Sequence, residues 1–175
     1  MSIIVVDIEA DGPVPGIYSM TEIGAVLVKE PLDVTFYGTL SPISKMFQQK
    51  ALAVTGRTRP DTLQFDDPKK TMERFKQWLD ENCTPPYIFL SDNNGFDFAF
   101  ASYYFHLYLS HNPFGYSSRN LNDLFKGIQR DMRASFKGLR KTPHDHNPVN
   151  DAKGNAEALL EMIKLYDLKG FDKYM

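Results

Sequence analysis

The sequence has little cysteine, little excess charge of either sign and no long apolar run, and each shortage removes a class of protein. Cys83 is the one cysteine among 175 residues. It can close no internal disulfide and build no thiolate metal cluster, which fits a reducing, cytoplasmic compartment. No apolar run approaches the length of a membrane span. The apolar run that opens the chain is too short for a secretion signal and has no basic leader, so no membrane contact is expected. Lys and Arg number 20 against 22 Asp and Glu, a net charge of -2. That balance excludes a protein that coats nucleic acid through bulk charge, so a nucleic-acid partner would have to be held locally. Repeats, low-complexity segments and dividing linkers are also missing. Residues 1–175 are therefore expected to form a single domain with a real core, and an aromatic content of 13% excludes disorder.

What is present begins at Ser2-Ile3-Ile4-Val5-Val6-Asp7-Ile8-Glu9. Four β-forming apolar residues in succession predict a strand buried on both faces. Asp7 and Glu9 lie two apart, so on a strand they share one face. Two carboxylates held that close repel, and burial makes the conflict worse unless a divalent cation resolves it. Taken alone, the pair also fits a strand that stops at Asp7, with Glu9, Asp11 and Gly12 opening a solvated turn.

Strands are predicted at Glu22–Val28 and Val34–Leu40, paired antiparallel through a short connection. A short helix follows over Lys45–Val54, then a loop carrying Arg57 and Arg59. Asp66-Asp67-Pro68 opens a helix with Met72, Phe75 and Leu79 at helical spacing. Tyr87–Leu90 is a short strand, and Asn93-Asn94-Gly95-Phe96-Asp97 leads into an aromatic helix. This alternation predicts a parallel strand pair, with Asp97 near the carboxyl end of the strand where ligands collect in α/β sheets. A helix is expected over Leu121–Met132 and a mobile basic loop over Arg133–His144. The last helix is expected to be capped by Asn150, with Asp151 in its first turn and His146 hanging over the same place. Asp97 and Asp151 each also fit an acid that complements a helix dipole, and His146 a surface histidine.

Asp7 and Glu9, then Asp97, then His146 and Asp151 occur in an order that resembles the DEDDh group of DnaQ-like 3′-5′ exonucleases, over nearly the whole chain. Val6-Asp7-Ile8-Glu9 resembles the first motif, and Glu22-Ile23-Gly24-Ala25-Val26 the strand that follows it. Ala51-Leu52-Ala53-Val54-Thr55-Gly56 is similar to the short helix and glycine turn before the second motif, Asn93-Asn94-Gly95-Phe96-Asp97. His146-Asn147-Pro148-Val149-Asn150-Asp151-Ala152 resembles the third. Two positions depart: Ala10 stands where many members carry threonine, and Asp92 where many carry histidine.

The resemblance implies a ribonuclease H-like α/β fold: a mixed five-stranded sheet, three strands antiparallel and then parallel βαβ, flanked by helices. It implies a 3′-5′ exonuclease on single-stranded DNA or RNA 3′ ends, DNA favoured, releasing nucleoside 5′-monophosphates. Two Mg2+ or Mn2+ ions roughly 4 Å apart would bracket the scissile phosphate. Asp7 would bridge them, Glu9 and Asp151 would complete one position, and Asp97 would support the other. His146 would take the proton from the attacking water, a task for which histidine as a residue type is suited. Asn93, Arg57, Arg59, Lys137, Arg140 and Lys141 are the candidates for substrate contact. Small members of the family are often homodimers, and the aromatic helix offers a surface for one. The alternatives are an exoribonuclease trimming short RNA, and a non-catalytic nucleic-acid-binding module on the same fold.

Overall fold

A computed structural model describes residues 1–171. Five strands, β1 (Ser2–Ala10), β2 (Met20–Leu27), β3 (Thr35–Thr39), β4 (Tyr87–Ser91) and β5 (Arg119–Asn120), form one sheet in the order β3-β2-β1-β4-β5. β1 pairs antiparallel with β2, and β2 with β3; β1 pairs parallel with β4, and β4 with β5. The helices are α1 (Gln49–Val54), α2 (Arg59–Thr62), α3 (Pro68–Asn82), α4 (Asn94–Leu109), α5 (Leu121–Gln129) and α6 (Pro148–Leu165), with a 3-10 turn at Lys137–Leu139.

The central position of β1 explains its unbroken apolar run, since both of its faces are covered. Ile4, Val6 and Ile8 point into one core with Met72, Phe75 and Leu79 of α3 and Phe100, Tyr104 and Phe105 of α4. Ile3 and Val5 point the other way, onto Leu121 and Phe125 of α5 and Ala152, Ala156 and Leu159 of α6. Asp7 and Glu9 have the parity of Ile3 and Val5, so the pleat aims both acids at the α6 side. β1 extends through Glu9 to Ala10, so the alternative of a turn beginning at Glu9 falls.

Several local expectations need correction. The helix expected from Lys45 begins at Gln49. The loop with two arginines contains α2, closed by a capping box in which Thr58 and Asp61 satisfy each other's backbone N–H groups. α5 stops at Gln129, where Arg130 takes the left-handed conformation, short of Met132. The 133–144 segment is pinned, because Phe136 is fully buried and Arg140 is drawn inward. α6 is capped by Asn147, whose side chain accepts from the N–H groups of Val149 and Asn150. Pro148 at the first helical position, which needs no N–H partner, sets the cap three residues ahead of Asn150. β5 has only two residues, too few to show a sequence pattern.

Among the described residues no helix is long and apolar enough to cross a membrane.

Candidate active site

The site lies where β1 outruns its parallel neighbour. The β1–β4 pairing ends at Val5↔Leu90, so Val6 to Ala10 continue alone on that edge. The Asp97 carboxylate reaches across towards the N–H of Ile8 on that edge from the first turn of α4. Asp97 is thus placed beside Asp7 by helix position, and it is 3% exposed.

From the opposite layer, α6 delivers Asp151 in its first turn, 1% exposed. Its approach depends on Gly24 in β2. A Cβ there would sit 2.3 Å from the Pro148 carbonyl carbon and 2.4 Å from the Val149 nitrogen, so the helix start rests directly on the strand backbone. Glu157 ties the preceding loop to α6 by accepting from the N–H groups of Lys141 (2.9 Å) and Thr142 (2.7 Å). Gly154 leaves room for the Thr142 carbonyl, 2.8 Å from where a Cβ would stand.

His146 takes φ 60°, a left-handed conformation that histidine tolerates better than most residues. Its Nδ1 stands 3.8 Å from Glu9 Oε1, and its N–H donates to Asp151 Oδ2 at 3.2 Å. His144, not among the expected site residues, has Nδ1 2.7 Å from Asp151 Oδ1, and its ring meets that of His146 edge-on at 4.4 Å.

The carboxylates oppose one another. Burial first, then the charges of Asp97, Glu9, Asp151 and Asp92, push Asp7 well above the ordinary aspartate value. Glu9 is pushed up to about 8, by burial and then by Asp151, Glu22 and Asp97. Burial also raises Asp97, against the hydrogen bonds it accepts. Asp97 Oδ2 has no hydrogen-bond partner among the described residues.

Two sets of three carboxylates share Asp7: Asp7, Glu9 and Asp151, and Asp7, Asp92 and Asp97. Within each set, one oxygen per residue lies within 4.8 Å of the others. Both sets offer only oxygen, the donor that hard divalent cations prefer, and positive charge there would relieve the repulsion. The donor chemistry and the partnerless Asp97 oxygen both fit cations in these two places. His144, His146 and Asp151 form a third, nitrogen-containing group.

The candidate substrate contacts divide. Lys137, Lys141 and Asn93 are exposed, Asn93 as the residue that precedes α4. The three arginines are each paired with acids, Arg59 and Arg140 largely buried and Arg57 with 40% of its side chain exposed. Arg57 Nε pairs with buried Glu22 at 2.9 Å, while the Tyr37 hydroxyl donates to the same carboxylate at 2.5 Å. Arg59 Nη1 pairs at 2.6 Å with Asp11, which is fully buried. Arg140 Nη2 lies 3.3 Å from Asp92 Oδ2, its Nη1 lies 3.9 Å from Asp151 Oδ1, and it also donates to Asn155. The sequence could not tell these apart from free cations, because the acids they hydrogen-bond are 35 to 48 positions away.

No protein-family model matches the chain. It is 35% identical over 182 aligned residues, covering 96% of this chain and 95% of the relative, to the 3′-5′ DNA exonuclease Cap18 of Escherichia coli. Its fold is similar to that of the nuclease domain of 3′hExo, a DEDDh family member bound to rAMP. That match has a TM-score of 0.73 at 15% identity and covers 93% of this chain and 92% of the other. It is also similar to E. coli Exonuclease I in complex with a dA16 oligonucleotide, with a TM-score of 0.74 at 16% identity, over 94% of this chain and 41% of that one. These likenesses bear out the ribonuclease H-like architecture, and the relative's activity sets aside the non-catalytic reading. The chain belongs to the DEDDh group of DnaQ-like 3′-5′ exonucleases.

Proposed function

We propose that this chain acts as a single DEDDh exonuclease domain that removes nucleotides one at a time from the 3′ end of single-stranded DNA, releasing nucleoside 5′-monophosphates with two Mg2+ or Mn2+ ions. The observation that carries this reading is the pair of three-carboxylate sets sharing Asp7. Bound there, the cations would supply Lewis-acid stabilisation of the charge that develops on the phosphate and on the leaving oxygen. Asp7 would contribute to both positions, Glu9 and Asp151 to one, and Asp97 to the other. The raised proton affinity of Asp7, Glu9 and Asp97 marks carboxylates crowded beyond what the protein alone compensates.

His146 would accept the proton of the attacking water, with Glu9, 3.8 Å from its Nδ1, holding the ring over the cluster. The water oxygen forms the new bond to phosphorus and the bond to the 3′ oxygen of the shortened strand breaks, so the phosphate leaves on the terminal nucleotide. Lys137 and Lys141, exposed beside the His146 loop, would take backbone phosphates.

DNA is supported by the relative's name and by the oligonucleotide held by Exonuclease I. RNA is the second reading, favoured by the likeness to a nuclease domain holding rAMP. The test is digestion of matched 5′-labelled DNA and RNA oligonucleotides with Mn2+, Mg2+ or chelator, beside the Asp7→Ala protein. A metal-dependent ladder shortening from the 3′ end, faster on DNA and absent with the variant, is expected. A faster RNA ladder would reverse the substrate choice. A ladder that survives chelator or the Asp7 substitution would refute the mechanism.

A further inference from the structure

Asp92 follows β4 directly, at the carboxyl end of the sheet, and the roles given above leave it unused. One of its oxygens lies within 4.8 Å of ligand oxygens on both Asp7 and Asp97. Asp97 Oδ2, on a residue almost wholly buried, points to a missing positive partner at the same place. An additional acid here adds like charge beside Asp7 and Asp97. The protein compensates from behind. Arg140, with 6% of its side chain exposed, reaches Asp92 with Nη2 and Asp151 with Nη1, and lies over the Phe136 ring at 5.4 Å. Its planar fork therefore lies between the two carboxylate sets, 3.3 Å from Asp92 of one and 3.9 Å from Asp151 of the other.

A simple salt bridge would need only Asp92 and Arg140. It would not require Asp92 to keep an oxygen close to Asp7 and Asp97, where like charges repel. A hard cation asks for at least six oxygens, and Asp7 with Asp97 alone supply few.

We propose that Asp92 is a third carboxylate ligand of the cation position formed by Asp7 and Asp97, and that Arg140 is the positioning residue that holds Asp92 and Asp151 in place. This rests on the two-cation reading above, and the test separates the two ideas. Mn2+ is titrated into the metal-free full chain by calorimetry, with wild type, Asp7→Asn, Asp92→Asn and Arg140→Lys compared. Wild type is expected to take two ions, and Asp7→Asn to lose both. Asp92→Asn should keep one affinity and weaken the other about tenfold or more. The Mn2+ concentration for half-maximal activity should rise by the same factor, with the KM for oligonucleotide unchanged. Arg140→Lys, which keeps charge and loses the fork, should weaken both affinities several-fold.

Unchanged Mn2+ binding by Asp7→Asn would overturn the two-cation reading itself. Loss of ions by Asp7→Asn with a wild-type titration for Asp92→Asn would overturn the Asp92 assignment alone. Should the lone asparagine leave Arg140 unpaired and the chain unfolded, the double variant Asp92→Asn, Arg140→Gln removes both charges together. It must show the same loss of one affinity, and two intact affinities there would refute the proposal.

Discussion

Replacing Gly24 by alanine tests how tightly the sheet sets the spacing of the carboxylates. The added methyl would meet backbone, at 2.3 Å from the Pro148 carbonyl carbon and 2.4 Å from the Val149 nitrogen, whereas ordinary contact begins near 3.4 Å. The start of α6 must therefore withdraw by 3.4 − 2.3, or about 1 Å, because neither partner is a side chain that can swing away. Asp151 lies two residues beyond Val149 and His146 two residues before Pro148. Both would move off Asp7 and Glu9 with the helix. A displacement of that size at a reacting centre costs on the order of 100-fold in rate, while the overpacked interface costs about 1–3 kcal/mol. The assay is kcat on a 5′-labelled oligonucleotide at saturating Mn2+, beside a urea unfolding curve that confirms the variant is folded. A folded variant with wild-type kcat would refute the claim that β2 backbone contact sets the distance between the two halves of the site.

Glu9 is held up to about 8 by burial and neighbouring acids, and Asp7 and Asp97 are raised as well. Between about pH 4 and pH 8 the metal-free fold therefore binds more protons than the unfolded chain, and its stability falls as pH rises across that window. The Tm in EDTA should be lower at pH 8 than at pH 5, with Glu9→Gln flattening the slope and Mn2+ restoring the loss; a Tm that climbs between those pH values contradicts the electrostatic account. His146→Asn, chosen because asparagine also accepts a positive φ, should lower kcat by about 10²–10⁴ with Mn2+ binding unchanged; a kcat within a few-fold of wild type removes His146 from proton transfer. Charge reversal at exposed Lys137 and Lys141 should raise KM, with the difference shrinking as salt is added. Arg140→Ala should instead cost about 3–5 kcal/mol in urea unfolding, because it strands buried Asp151 and half-buried Asp92. A salt-sensitive KM effect without lost stability would return Arg140 to the substrate contacts.

Much of the frame was legible because it is local. The double-faced strand at Ile3–Val6, the cap at Asp67 with Pro68 behind it, and the periodic apolar face of α3 each declare themselves within a few residues. The acids of the site were legible for the same reason, since parity places Asp7 with Glu9 and helix starts place Asp97 and Asp151. What stayed hidden depends on contacts between distant parts of the chain. Nothing near Arg59 announces Asp11, and nothing near Arg140 announces Asp92. Asp97 does not reveal that it faces the edge of β1 left open where β4 stops short. The cap at Asn147 was legible through Pro148, and placing the cap at Asn150 missed it. Gly24 looked like an ordinary strand residue until the chain of α6 was laid across it.

The most direct test of two cation positions sharing Asp7 is anomalous diffraction from a crystal of the chain soaked in Mn2+ with a nucleoside 5′-monophosphate. The account predicts two peaks roughly 4 Å apart, both contacting Asp7, one beside Glu9 and Asp151 and the other beside Asp97. A single peak, or peaks that leave Asp7 untouched, would contradict it.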